Sequence, residues 1–232
     1  MLEFKDTLTI NGRKTCFAAP ECKLFAGRLD IGLELQNDEY SEWCNLPYSD
    51  VFEFSQLSGR KVLITDCAAE NFENPLLNPW FTIDASFYSI TSLRVVCGEY
   101  SPSRQTIAIE INSTGSNDED GTAVSVNGHF TAACIGATSN DVLNCLGGFP
   151  VRFANYYLPL LGLPQISEHP DRALIISLFG QPDDEGGGNH PQFGFIEPWM
   201  RFMFPTFHLH FRMDSDNITH ITVMPRTGSF SL

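Results

Sequence analysis

Apolar and polar positions alternate with a period of two along much of this chain, most clearly near its end. In Phe207-His208-Leu209-His210-Phe211-Arg212-Met213, the residues Phe207, Leu209, Phe211 and Met213 fall on one face and His208, His210 and Arg212 on the other. That is the pattern of a half-buried strand. The turn Asp214-Ser215-Asp216-Asn217 leads into a second arm, 218–224, whose parity groups Ile218 with His220 against Thr219, Ile221 and Val223. Trp199-Met200-Arg201-Phe202-Met203-Phe204 reads as a third strand, paired with 207–213. Ahead of it, Pro170-Asp171 opens an apolar helix, 173–179, that Gly180 stops. The intervening stretch 183–191, with Gly186-Gly187-Gly188 after Asp183-Asp184-Glu185, reads as an irregular loop. The unit expected is a helix covering a three- or four-stranded antiparallel meander.

The first 138 residues read as strands throughout. Asn11-Gly12 lies between Thr7-Leu8-Thr9-Ile10 and 13–17, and Asn127-Gly128 lies between 123–126 and 129–133. Asn-Gly between alternating runs predicts a tight hairpin, because both turn positions favour positive φ. Further strands are expected at 29–35, 51–54, 61–66, 80–88, 92–97 and 106–111, with a polar mobile tip at 112–121. Their even spacing predicts an antiparallel sandwich. Near residue 138 the pattern changes: Ser139-Asn140-Asp141 starts a short helix, and 153–163 reads as an aromatic connecting segment limited by Pro159 and Pro164. The fold class expected is mainly β with a few helices (α+β). A sandwich-like domain at 1–138 is followed by a helix-plus-meander unit at 139–232.

Composition makes this a globular chain. Hydrophobic residues are 43% and charged residues 18%, with 19 Phe, enough apolar surface for a substantial core. The formal net charge is −14, a field that repels phosphate backbones and anionic membranes and argues against both as partners. The excess is uneven: 9 basic and 19 acidic side chains lie in 1–138, against 5 and 9 in 139–232. Seven cysteines, Cys16, Cys22, Cys44, Cys67, Cys97, Cys134 and Cys145, form no CxxC pair and read as reduced structural thiols. The start, Met1-Leu2-Glu3-Phe4-Lys5-Asp6, lacks the regions of a signal peptide, and no apolar run approaches the ~20 residues of a membrane span. A cytoplasmic protein is expected.

Among chemical candidates, His208 and His210 are two apart on one strand face, so two imidazoles could share an ion, with His220 opposing them across the hairpin. Zinc is the cofactor that set would take. The bland alternative is a row of solvent-facing residues. The glycine stretch has neither EF-hand spacing nor a phosphate-loop Lys. No Gly-x-Ser-x-Gly elbow and no dinucleotide fingerprint occur. Trp43, Trp80 and Trp199 lack the interleaved Lys and Arg of a nucleic-acid groove.

The leading expectation is therefore a non-enzymatic, acidic protein-binding module that recognises a basic protein partner, as immunity- or antitoxin-type inhibitors do. Its electrostatic contacts would be Asp118, Glu119, Asp120, Asp183, Asp184 and Glu185, with Trp199 and Phe204 as aromatic anchors. The alternatives are a metal-dependent hydrolase or metal-binding β-protein using His208, His210 and His220, and a structural or assembly subunit.

Overall fold

The computed structural model describes residues 6–35, 40–47, 50–64, 79–83, 86–117, 119–145, 148–192 and 194–226. The fold is mainly β, 60% strand and 15% helix, in two compact units, Met1–Gly136 and Ala137–Leu232.

The first unit contains strands β1 (Thr7–Ile10), β2 (Arg13–Thr15), β3 (Phe17–Phe25), β4 (Arg28–Leu35), β5 (Tyr40–Pro47), β6 (Lys61–Ile64), β7 (Trp80–Ile83), β8 (Ser86–Ser101), β9 (Thr106–Asn117) and β10 (Ala123–Ile135). It is a barrel, not the sandwich expected from strand spacing. Strands β3, β4, β5, β7, β8, β9 and β10 pair in a closed ring. Periodicity identifies strands but not closure, which depends on register. Seven alternating strands cannot close antiparallel throughout, because the first and last run the same way. The closing pair, β10 with β3, is accordingly parallel and spans only Ala133↔Glu21, Cys134↔Cys22 and Ile135↔Lys23. The hairpin β1–β2 and strand β6 extend the free edges of β10 and β8.

Alternation fills the interior. Ile107, Ile109 and Ile111 of β9 and Val124, Val126 and Phe130 of β10 point inward and are buried, beside Leu29, Ile31 and Leu33 of β4. Trp43 stacks on Phe81 at 6.0 Å, and Phe81 on Tyr88 at 5.3 Å. The Trp43 indole N–H donates to Ser113 Oγ across the interior at 3.1 Å, satisfying two buried polar groups that would otherwise be costly. The barrel interior is thus packed with side chains.

Three expectations in this unit are corrected. Asn11-Gly12 is a turn, with φ of 49° and 74°, but Asn127-Gly128 lies inside β10 opposite Asn112 and Ile111. A Cβ at Gly128 would meet Phe130, Leu8 and Ile111 at 3.0–3.2 Å, so this glycine permits close packing. The stretch 112–117 is strand, and the tip shrinks to the short connection after Asn117. In place of a strand at 51–54, a 3-10 turn runs Phe54–Leu57. Of the strands expected at 61–66 and 80–88, positions 65, 66, 84 and 85 lie outside the described residues.

The second unit begins with α1 (Ser139–Leu143), where Thr138 and Asp141 form a reciprocal capping box. The stretch expected as a connector forms successive helical turns, Val151–Phe153, α2 (Ala154–Tyr157) and Leu158–Leu161. Helix α3 (Arg172–Phe179) has the Asp171 carboxylate accepting from Leu174 N at 2.8 Å as its cap and ends at Gly180, φ 85°. Strands β11 (Phe149–Pro150), β12 (Asp184–His190), β13 (Gly194–Met203), β14 (Phe207–Asp214) and β15 (Asn217–Pro225) form one antiparallel sheet in the order β11-β15-β14-β13-β12.

The polar stretch expected as a loop is the edge strand β12. Its glycines admit close neighbours: a Cβ at Gly186 would lie 2.8 Å from the Trp199 ring, and one at Gly187 2.6 Å from Pro198 Cα. The register shifts between Gly186 and Gly188, opposite Pro198, the kind of irregularity that tolerates a strand proline. In β15 the expected parity also fails. Met213 pairs with Ile218 but Arg212 with His220, so Thr219 is an extra residue. This bulge turns Ile218 inward together with Ile221 and Val223.

Candidate functional site

Three adjacent strands of the barrel wall place a row of outward side chains around a glycine. Gly32 of β4 is opposite Glu21 of β3 on one side and Glu42 of β5 on the other. Directly opposed residues in antiparallel strands project from the same face, so two carboxylates flank a position with no side chain. The result is a hollow of about 150 Å³ lined by Glu21, Lys23, Asp30, Gly32, Glu42 and Cys44, with Ile135 at its edge. Lys23 and Asp30 are register partners, while Glu42 and Cys44 alternate along β5.

The lining is mainly acidic, with Glu21, Asp30 and Glu42 against Lys23. Burial, then repulsion from Asp30, raises the Glu42 carboxyl above its ordinary pKa; a hydrogen bond with Cys44 opposes this. Burial and the carboxylates of Asp30 and Glu42 in turn push the Cys44 thiol up, which keeps it protonated and able to donate to Glu42. An ionised carboxylate half-removed from water beside another carboxylate is a ready acceptor for an ammonium or guanidinium group.

The acids singled out from sequence lie elsewhere. Asp118 is outside the described residues. Glu119 and Asp120 occupy the exposed β9–β10 connection, where their backbone N–H groups donate to Asn117 Oδ1 at 2.8 and 3.3 Å. Asp120 accepts from Thr122 N at 2.8 Å, and hydrogen bonds with Thr122 hold its carboxyl below the usual range. In the second unit Asp183 accepts from Met203 N at 2.7 Å, Asp184 pairs with Arg201 and Glu185 with Arg172. Those three are engaged inside their own unit.

The aromatic pair also separates. Phe204 stacks on Phe207 at 4.8 Å and meets Phe179 of α3 edge-on at 6.4 Å, so it belongs to the aromatic packing between helix and sheet. Trp199 lies on the opposite sheet face, stacked on His210 at 5.6 Å with the Arg201 guanidinium 5.9 Å from its ring. His208 and His210 share that face with Trp199 and Arg201. His220, however, is paired with Arg212, and His210 with Thr222, so the three imidazoles are spread along the hairpin. No group of three or more His, Cys, Asp or Glu able to hold a metal gathers among the described residues. Burial, then the charges of Arg201 and His208, lowers the His210 pKa, and its Nε2 is buried with no hydrogen-bond partner.

Sequence reasoning missed Glu21, Asp30, Gly32 and Glu42. The available signal was their alternation, Glu21/Lys23, Asp30/Gly32/Glu34 and Glu42/Cys44, but only strand register brings the three sets together. No helix among the described residues is long and apolar enough to cross a membrane. Neither a family model, nor a curated protein, nor a solved structure matches this chain.

Proposed function

We propose that this chain is a protein-binding module that engages a basic partner, with the acidic hollow over Gly32 receiving a Lys or Arg side chain of that partner. The observation that carries the reading is Glu42: a half-buried carboxyl raised by burial and by Asp30, on the wall of a hollow about 150 Å³ in size. A cation placed there offsets the repulsion between Glu42 and Asp30, so affinity arises from a cost already present in the unliganded protein. The charge distribution supports the same direction, since the larger acidic excess lies in the part of the sequence that forms the barrel. Such a field raises the encounter rate with a basic partner and suppresses acidic ones. Glu119 and Asp120, exposed on their connection, add to the field without a shaped contact. An inhibitor of the immunity or antitoxin type is one protein of this kind.

The test is capture from native lysate by the immobilised full chain at low and at moderate salt, run in parallel with Glu42→Gln. A basic protein released by salt and not retained by the variant is the expected result. Retention that is indifferent to both salt and the substitution contradicts it.

A further inference from the structure

The parallel seam that closes the barrel has a cysteine on each strand at its central position. Cys134 of β10 and Cys22 of β3 are register partners, both pointing into the core, and their sulfurs are 3.9 Å apart. Neighbouring strands lie ~4.8 Å apart, inside the Cα separation of about 4.4–6.8 Å that a disulfide spans. We infer that Cys22 and Cys134 form a hydroperoxide-reactive thiol pair whose oxidation joins the first and last strands of the barrel covalently.

The two sulfurs are not equivalent. Cys134 is 9% exposed and Cys22 1%, so an entering oxidant meets Cys134 first. The Cys22 thiol donates its hydrogen to the Cys134 sulfur, and this hydrogen bond lowers the Cys134 pKa while it and burial raise that of Cys22. Attack therefore falls to the Cys134 thiolate, the nucleophilic form of a thiol. It displaces hydroxide from hydrogen peroxide, breaking the O–O bond and leaving Cys134 as the sulfenic acid. The Cys22 sulfur then attacks the sulfenic sulfur, the S–O bond breaks, and the second peroxide-derived oxygen leaves as water with the Cys22 proton. The balance is two thiols and one peroxide giving one disulfide and two waters, with both electrons passing from sulfur to oxygen.

The position matters because the seam is short. Its flanking pairs, Ala133↔Glu21 and Ile135↔Lys23, are the remaining register pairs between these strands, so a bond at the centre fixes the ring at its parallel closing pair. It also ties residues separated by 112 positions in sequence, the long-loop case in which a cross-link restricts the unfolded chain most.

The experiment treats the reduced full chain with a small excess of hydrogen peroxide and maps the products by non-reducing peptide mass spectrometry, with a thermal melt on the same samples. Expected are loss of two thiols per chain, a Cys22–Cys134 cross-linked peptide reversed by dithiothreitol, and a melting midpoint of the barrel raised by roughly 10 °C. In Cys22→Ser, which keeps a small donor at the seam, Cys134 is expected to be trapped as sulfenic acid by dimedone. A Cys22–Cys97 cross-link, over-oxidation of Cys134 with Cys22 still reduced in the wild-type chain, or both thiols left intact would overturn the inference. The wild-type peptide map decides the matter even where the serine variant does not fold.

Discussion

Glu42 lies directly across from Gly32 in the antiparallel register of β4 and β5, so its carboxylate borders a gap in the barrel wall. Glu42→Gln keeps the shape of the side chain and removes its charge. Two opposite effects are expected. Binding of the basic partner weakens by roughly tenfold, ~1.4 kcal/mol, because the charge that receives the partner's cation is gone. The unliganded fold becomes slightly more stable, its melting midpoint rising on the order of 1 °C, because the repulsion with Asp30 is relieved. Calorimetry of the complex and a thermal melt of the free chain read the two effects separately.

The same group gives a pH dependence of definite sign. The folded Glu42 carboxyl titrates above its ordinary value of 4.5, so in that window the folded state binds more protons than the unfolded one. Its contribution to stability is therefore fully present below the unfolded value and is lost as pH rises through the folded one. The wild-type barrel is expected to gain stability relative to Glu42→Gln on acidification toward 4.5, measured as the difference in denaturant midpoint across that interval.

Gly32→Val adds a β-branched side chain to the floor of the hollow. A strand accepts valine readily, and this position faces the outer wall, so the barrel is expected to fold with a near-native melting midpoint. The partner's side chain no longer fits, and affinity falls by at least tenfold. Circular dichroism and a binding titration on the same preparation check the two halves of this statement.

His210 titrates in the opposite sense to Glu42. Burial and the charges of Arg201 and His208 hold its pKa below 6.5, so the unfolded state takes up the proton first, and stability falls as pH drops through the unfolded value. His210→Gln is expected to reduce the loss of stability of the second unit between about pH 7.5 and 5.5. Fluorescence of Trp199, stacked on His210, follows that unit as it unfolds.

Phe81 is fully buried between Trp43 and Tyr88 and packs over Gly115, where an added Cβ would lie 2.6 Å from its ring. Phe81→Ala leaves a cavity in a packed barrel and is expected to cost about 3–5 kcal/mol, read from urea unfolding of the full chain.

The strands were legible in the sequence because alternation is a local property. The arm 207–213, the helix ending at Gly180 and the Asn11-Gly12 turn all follow from neighbours a few residues apart. What was not legible depends on contacts between distant segments. Gly128 looks like a turn glycine until Leu8 and Ile111 are placed against it. The extra residue Thr219 is invisible without the partner strand, and it reversed the expected facing of Ile218. Glycines 186–188 signal freedom when read alone, yet they serve the approach of Trp199 and Pro198. Barrel closure rests on three register pairs between β3 and β10, a relationship no periodicity encodes. The candidate site has the same character. The runs of adjacent acids at 118–120 and 183–185 attract the eye, whereas Glu21, Asp30 and Glu42 are brought together only by β3, β4 and β5 lying side by side.

The most direct measurement is a titration of the isotope-labelled full chain with a short Lys- and Arg-rich peptide and, as its control, a Glu-rich peptide of equal length, read by amide chemical shifts. With the basic peptide, saturable shifts centred on Gly32, Glu42 and Cys44 are expected, weakened by added salt and lost in Glu42→Gln. Equal shifts with both peptides, or shifts from the basic peptide that leave these residues unmoved, contradict the hollow over Gly32 as the place where a basic partner is held.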